Sequence, residues 1–478
     1  MTDVVVPALY RQIYMRFRAS IAEGLLKPGD RVPSIRALAS ELNLARGTIE
    51  SAYQLLISEG YLLSRGAAGT IVSPAIKAVP MSSKSQPVSL PQYSLVHSGE
   101  PPQPFQMGLP ALDAFPRKLW NRIASYELRH SFWDGAVYPD ARGHSSLRRA
   151  VAGYLGVSRG ISCTPEQIFI VAGYRAALDL ISRTLLQPGD SCWVEDPGYF
   201  AAHDFLREAG ATLVPVPVDS DGMVVEAGVE HVPDARFAVV TPTHQSPLCV
   251  ALSMPRRQAL LEWANHQQSW IIEDDYDSEY RYHGRPLPAL KSLDTQDRVL
   301  YCGTFSKVLL PSLRLAYLVV PEKLVLRFTE LADKMQSHCP QLWQVTTAKF
   351  IEQGHFGRHL KKMRNLYAHR RQLLVDALSA KLEHRLSVDH QVGGMHLLAR
   401  LAKSEDDRGI CIRAKRAGLR VEALSKWYLK ERSEHGLLLG FTNVVDKEQA
   451  SELVERLAQI IGSQPERRND TVLYDACR

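Results

Sequence analysis

Between residues 9 and 72 the apolar positions repeat at helical spacing and then give way to two short β-like runs. Leu9, Ile13, Phe17 and Ile21 predict a first amphipathic helix ending near Gly24. Lys27-Pro28-Gly29-Asp30 predicts a turn. Pro33-Ser34 opens a second helix, with Ser34 as its N-cap and Ile35, Leu38, Ala39 and Leu42 facing inward. A third helix is predicted from about Arg46 to Glu59, burying Ile49, Ala52, Tyr53 and Leu56. The stretch Tyr61–Val72 places apolar runs on either side of a Gly-containing tip, the pattern of a hairpin. Helix, helix, helix and hairpin in that order predict a winged helix-turn-helix.

Residues 73–104 hold seven prolines and many serines. Proline removes backbone donors and serine buries little apolar area, so an extended linker is expected. From about Phe105 onward, β-like runs alternate with helical ones. The runs include Ile168–Val171, Ser191–Glu195, Thr212–Val216, Phe237–Thr241, Trp270–Glu273, Arg298–Tyr301 and Leu315–Val320. Helices such as Gly173–Leu186 and Arg256–Gln267 lie between them. That alternation predicts an α/β unit with a mostly parallel sheet covered by helices. The expected division is 1–73, 74–104 and 105–478.

Composition narrows the class. At 478 residues, 45% hydrophobic and 23% charged, the chain reads as a soluble globular protein of about three domains. No apolar run is long enough to span a membrane, and the N-terminus lacks a secretory pattern, so a cytoplasmic location is expected. The seven cysteines are scattered, form no CxxC pair and read as reduced thiols, with no metal site expected. The net charge of +6 permits nucleic-acid binding without arguing for it.

Candidate DNA-reading residues cluster at the start of the third helix. Arg46, Gly47 and Thr48 would lead that helix into the major groove, Arg to guanine or phosphate and Gly47 allowing close approach. Arg36, on the preceding helix, and Arg65, at the wing tip, are placed for phosphate or groove contacts. Residues 1–76 carry eight basic and six acidic side chains, so charge alone also fits a helical interaction domain with solvated arginines. The string Leu26-Lys27-Pro28-Gly29-Asp30-Arg31-Val32-Pro33-Ser34-Ile35-Arg36-Ala37-Leu38-Ala39, with Arg46-Gly47-Thr48-Ile49 and Gly60-Tyr61, resembles the GntR-type winged-helix domain. The resemblance implies that Arg36, Arg46 and Thr48 face double-stranded operator DNA.

The second candidate site centres on Lys307, in Gly303-Thr304-Phe305-Ser306-Lys307, with Arg314 seven residues on. A lysine that forms an imine with pyridoxal 5'-phosphate needs hydroxyls and an arginine nearby for the phosphate. The acidic run Glu273-Asp274-Asp275-Tyr276 follows the apolar run Trp270-Ile271-Ile272 and so places an acidic residue at a strand's carboxyl end, where open α/β sheets bind ligands. Gly173 opens the helix after Ile168–Ala172 and offers backbone N–H groups to a phosphate. Tyr199, in Glu195-Asp196-Pro197-Gly198-Tyr199, is a rigidly presented aromatic.

These pieces, with Tyr138-Pro139-Asp140-Ala141-Arg142-Gly143, Thr241-Pro242-Thr243-His244-Gln245 and Val392-Gly393-Gly394-Met395-His396, resemble the fold-type I aminotransferases. More specifically, they resemble the MocR/GabR regulators, which fuse such a domain to a GntR winged helix. The implied fold is a winged helix-turn-helix plus a transferase-like domain with a smaller C-terminal α+β subdomain. The implied roles are as follows. Lys307 forms the imine, Asp274 pairs with the pyridine nitrogen, Tyr276 bonds the phenolic oxygen and Tyr199 stacks on the ring. Thr304, Ser306 and Arg314 hold the phosphate with Gly173 and Tyr174 nearby, and Tyr138 reaches the partner subunit's phosphate in a homodimer. The chain departs from the enzymes in two places. Ser246-Pro247-Leu248-Cys249 replaces Asn-Pro-x-Gly, leaving His244 or Gln245 to substitute for the asparagine. Glu434-His435-Gly436-Leu437-Leu438 lacks the arginine that clamps a substrate carboxylate, the nearest being Arg432. The expected function is therefore transcription regulation through a small amine or amino-acid-like effector. An aminotransferase with an accessory domain, and a DNA-binding dimer without cofactor, stand as alternatives.

Overall fold

The computed structural model describes residues 8–76, 102–130, 138–282, 284, 287–336, 338–389, 391, 393–402, 405–430 and 434–462. Most of the expected linker, together with Val392, Arg432 and Cys477, lies outside these residues. The chain divides into two compact units between Leu95 and Val96.

The first unit contains α1 (Leu9–Ala22), α2 (Ile35–Glu41), α3 (Arg46–Ser58), β1 (Leu62–Ser64) and β2 (Thr70–Val72). Ser34 caps α2, its hydroxyl accepting from the Ala37 amide at 3.2 Å. Strands β1 and β2 pair antiparallel to form the wing. Ile13, Leu38, Ile49, Ala52, Leu56 and Val72 fill one core. One inward position was misread. Leu9 is 52% exposed because it begins α1 and its turn projects past the packed face. Tyr14 is buried instead, its hydroxyl donating to Glu59 at 2.5 Å. Tyr53 ties α3 to the start of α2 by donating to the Pro33 carbonyl at 2.8 Å.

The second unit is built on an eight-stranded sheet in the order β3-β10-β9-β8-β7-β4-β5-β6. In chain order these are β3 (Ile168–Val171), β4 (Ser191–Asp196), β5 (Thr212–Asp219), β6 (Gly222–Met223), β7 (Phe237–Val240), β8 (Trp270–Asp275), β9 (Val299–Thr304) and β10 (Ala316–Val319). Five neighbouring strands, β5, β4, β7, β8 and β9, run parallel. Strand β10 is antiparallel to both β9 and β3, which restores β3 to the common direction. Strand β5 runs three residues beyond its expected end, to Asp219, where the short β6 folds back on it. The helices between them bury both faces, which is why the strands read as continuous apolar runs. Helices in chain order are α4 (Arg117–His130), α5 (Ser145–Arg159), α6 (Tyr174–Leu185), α7 (Phe200–Glu208), α8 (Val225–His231), α9 (Met254–Gln267), α10 (Val325–Met335), α11 (Gln341–Glu352) and α12 (His355–Leu382). The chain closes with a four-stranded antiparallel sheet, β11 (Leu386–Val388), β12 (His396–Leu401), β14 (Gly436–Gly440) and β13 (Glu422–Ala423), covered by α13 (Asp407–Arg416) and α14 (Lys447–Gly462). Among the described residues no helix is long and apolar enough to cross a membrane.

Candidate functional site

Because β3, β4, β7, β8 and β9 share one direction, the residues that follow them gather at one edge of the sheet. Gly173, Tyr199, His244 and Lys307 are among those residues, and Asp274 lies in the last pleat of β8 itself.

Strand β8 sorts its acids by face. Pleating sends Glu273 and Asp275 to one side and Asp274 to the other. Glu273 accepts from the amides of Leu290 and Lys291, each at 2.8 Å. Asp275 pairs with Arg159 at 2.6 Å and accepts from the Tyr301 hydroxyl at 2.5 Å. Asp274 is buried, yet its carboxylate accepts no hydrogen bond from the described residues. Burial, then the charges of Asp275 and Glu195, hold its pKa well above the usual carboxylate range, against the opposing pull of Lys307.

Lys307 lies just past the end of β9 and is half-buried. Its Nζ donates to the Gly108 carbonyl at 2.9 Å. Burial lowers its pKa, while Asp277 and Asp274 act the other way. A buried amine with a lowered pKa is the form that attacks a carbonyl carbon.

Gly173 caps α6 with φ +101°. A Cβ at Gly173 would meet Nη2 of Arg314 at 3.1 Å. That nitrogen donates to the Ala172 carbonyl at 2.7 Å. The Gly173 amide itself donates to the Val171 carbonyl at 2.9 Å; the N–H groups left for an anion are those at the start of α6. The Tyr174 hydroxyl is buried without a hydrogen-bond partner among the described residues. Thr304 Oγ1 accepts from the Ser306 amide at 3.1 Å, which fixes the turn into Lys307. Tyr199 caps α7 and is 38% exposed, its ring 6.4 Å from Tyr174 and 6.2 Å from Trp427.

His244 and Gln245 part company. Nδ1 of His244 lies 3.0 Å from both the Tyr276 hydroxyl and Asp277 Oδ1. Gln245 turns away, donating to the Pro197 carbonyl at 2.8 Å and to Glu195 at 3.3 Å. Tyr138 is 97% exposed and makes no hydrogen bond or ring contact with the described residues. Around the expected carboxylate clamp, Leu438 is fully buried among Leu398, Leu248 and Trp427. Glu434 is taken by Arg400 at 2.9 Å. Sequence reasoning missed Gly108, Asp277 and His396. Gly108 meets Lys307 and Asp277 meets His244 from distant stretches of chain, and the His396 ring lies 5.9 Å from that of His244.

In the first unit, Arg46 and Gly47 are exposed at the start of α3 and Thr48 is half-buried. A Cβ on Gly47 would meet nothing within 4 Å, so its small size answers no packing demand within its own unit. Arg36 is exposed on α2 and Arg65 at the base of the wing turn, its amide donating to Gly69 at 2.8 Å. Arg31, unmarked in the sequence, braces that turn by donating to the Ala68 carbonyl.

Residues 9–72 match the gntR family of bacterial regulatory proteins, and residues 112–437 match the aminotransferases of class I and II. The chain is 38% identical over 456 residues to a probable rhizopine catabolism regulatory protein, MocR, of Rhizobium meliloti, covering 93% of this chain and 92% of the relative. The chain belongs to the MocR/GabR-type transcription regulators. It is also 33% identical to the pyridoxine biosynthesis regulator PdxR of Corynebacterium glutamicum, over 90% of this chain and 91% of that one. Among solved structures it is similar to the kynurenine aminotransferase of Pyrococcus horikoshii, with a TM-score of 0.68, 28% identity and coverage of 75% of this chain and 90% of that one. The cofactor of this MocR/GabR-type regulator is pyridoxal 5'-phosphate, and the residues fit it. An unpartnered buried acid suits a protonated ring nitrogen. A buried amine suits the aldehyde. The glycine cradle beside Arg314 and the unpartnered Tyr174 hydroxyl suit the phosphate.

Proposed function

We propose that this DNA-binding regulator senses a small amine or amino-acid-like effector at Lys307, and that it does so as a homodimer. When bound, pyridoxal phosphate supplies an aldehyde that condenses reversibly with primary amines and a ring that withdraws electrons. Lys307 supplies the competing amine, with burial favouring its neutral form. Asp274 would balance the charge of a protonated ring nitrogen. Asp277 holds the proton on Nδ1 of His244 and so orients that imidazole toward the Tyr276 hydroxyl. Thr304, Ser306, Arg314, Gly173 and Tyr174 would hold the phosphate, and Tyr199 would contact the ring. The observation that carries this reading is Asp274, a buried carboxylate left without a donor while its neighbours on the strand are fully engaged.

Sensing is favoured over turnover because the stretch 434–438 carries no arginine to clamp a substrate carboxylate, and Leu438 within it is buried among apolar side chains. Exposed Tyr126, Leu128, Tyr138 and Val157 on the second unit support a dimer. The domain division proposed is 1–73 for DNA, 74–104 as linker and 105–478 for the effector. Arg46, Thr48, Gly47, Arg36 and Arg65 are the proposed DNA contacts. Regulation requires that the effector bind two states of the protein with different affinity. The test is an amine screen that records near-visible absorbance and operator affinity on one sample. Amines that shift both support the reading. A protein that stays colourless with added cofactor, or that turns over amino acids with no change in DNA affinity, overturns it.

A further inference from the structure

The loop after β7 holds a cysteine in a backbone conformation that L-residues rarely adopt. Cys249 has φ +61°, at the position where the Asn-Pro-x-Gly pattern has its glycine. Strain of this kind persists only where the surroundings enforce it. Sγ of Cys249 lies 3.2 Å from Nε2 of His396, the first residue of β12, and both residues are buried. The His396 ring is 5.9 Å from that of His244. Nδ1 of His244 is engaged by Asp277, its side chain is only 7% exposed, and its Nε2 has no hydrogen-bond partner among the described residues. A thiol, a hydrogen-bonded imidazole and a second imidazole with a spare nitrogen thus meet in one buried place.

Burial opposes ionisation of this thiol, but the two imidazoles outweigh it and bring the Cys249 pKa down to about 6. Cys163 and Cys339, without such neighbours, are pushed up by burial to about 11. Tyr276, Tyr282 and Arg371 are the other titratable groups that feel the Cys249 charge. Among the described residues no group of three or more His, Cys, Asp or Glu is placed to hold a metal ion, and Cys249 forms no disulfide. What remains is nucleophilic chemistry, which belongs to the thiolate.

We propose that Cys249 is a site of S-oxygenation by small hydroperoxides, with His396 as the acid. The thiolate attacks the terminal peroxide oxygen. The S–O bond forms as the O–O bond breaks, so sulfur gives up two electrons and the peroxide gains them. The leaving hydroxide or alkoxide takes a proton from the His396 imidazolium and departs as water or alcohol. The product is a sulfenic acid. None of this needs the cofactor, so the inference stands or falls separately from the proposed function.

The test treats the full-length protein with hydrogen peroxide, with and without added pyridoxal phosphate, and traps sulfenic acid with a cyclic 1,3-diketone read by peptide mass spectrometry. Cys249 is expected to label at least about tenfold faster than the half-buried Cys163 and Cys411, as its thiolate character dictates. His396→Gln should slow the Cys249 reaction by about tenfold. Cys249→Gly, which suits the backbone, should fold normally and remove the adduct. Labelling of Cys249 no faster than Cys163, or at an unchanged rate in folded His396→Gln, overturns the proposal. If His396→Gln does not fold, iodoacetamide alkylation of the unaltered protein decides. Rapid reaction of Cys249 below neutral pH supports the assignment, and reaction that rises only above about pH 8, as for an ordinary thiol, sinks it.

Discussion

Lys307 Nζ donates a 2.9 Å hydrogen bond to the carbonyl of Gly108, a residue 199 positions earlier. Gly108 has φ +76°, and a Cβ there would come within 2.5 Å of that same nitrogen. The stretch that carries it is stitched to the C-terminal part of its own unit. Thr442 donates to the Leu109 carbonyl, Asn443 to Pro110, and Tyr367 accepts from the Ala111 amide. Glycine is thus required at position 108 twice, for its backbone angle and for the amine it faces.

Gly108→Ala should therefore displace the Lys307 amine. Cofactor affinity is expected to fall by about tenfold or more, since off-region backbone costs of order 1–3 kcal/mol. Titration of the cofactor-free protein with pyridoxal phosphate, followed by absorbance, checks this. An unchanged dissociation constant would remove Gly108 from the site.

Gly173 makes the parallel case on the proposed phosphate side. Its φ of +101° is one that L side chains rarely adopt, and a Cβ there would press on the Arg314 guanidinium at 3.1 Å. Gly173→Ala should weaken the cofactor by about 10- to 100-fold while leaving free pyridoxal, which lacks the phosphate, bound as before. Equal losses for both compounds would show that the loop supports the ring and not the phosphate.

Much of this was legible in the sequence, for a physical reason. Buried strands are continuous apolar runs, so the polar residues that close each run mark the carboxyl edge of the sheet; the acidic cluster after Ile272 and the Thr304–Lys307 stretch were legible that way, whereas the choice of Asp274 among three neighbouring acids rested on the family resemblance. Helical spacing likewise gave Ile49, Ala52, Tyr53 and Leu56 as the buried face of α3. Strand direction was not legible, because an apolar run has no arrow. The antiparallel β10 therefore looked like any other strand. Contacts between distant stretches were hidden too. Cys249 and His396 are 147 residues apart, and Gly108 acts through a carbonyl that every residue possesses. Leu9 failed because periodicity does not say where along a helix packing begins.

Buried acids set a pH dependence whose sign is fixed. Burial raises Glu195 and Glu273 to about 7, so the folded state binds protons that the unfolded chain has released. Their stabilising contribution is complete below about pH 4.5, the ordinary glutamate range, and is lost as pH rises through about 7. His203 and His359, lowered to about 4 by burial, oppose this, their contribution being lost as pH falls from about 6.5 toward 4. Glu195→Gln isolates the acid. The fall in melting temperature between pH 6 and pH 8 should be smaller in the variant than in the parent, by several degrees. Identical slopes would show that Glu195 does not titrate in this range.

The proposed DNA-reading surface gives the last prediction. Arg46 and Gly47 are exposed at the start of α3, and the half-buried Thr48 beside them anchors its amide to the Ala45 carbonyl at 3.0 Å. None of their side chains belongs to the core of Ile13, Ile49, Tyr53 and Leu56. Arg46→Ala with Thr48→Ala should leave the melting temperature of the first unit unchanged and cut operator affinity by about 10- to 100-fold, as base-edge contacts of this type are worth about 1–3 kcal/mol each. Arg65→Ala should instead weaken specific and non-specific DNA alike and reduce the salt slope by about one, the signature of a phosphate contact. The two effects separate in one set of binding curves measured across salt concentrations on operator and random duplexes. If the double variant lost affinity equally for both duplexes, α3 would be a phosphate-binding helix, and sequence reading would have to come from the wing.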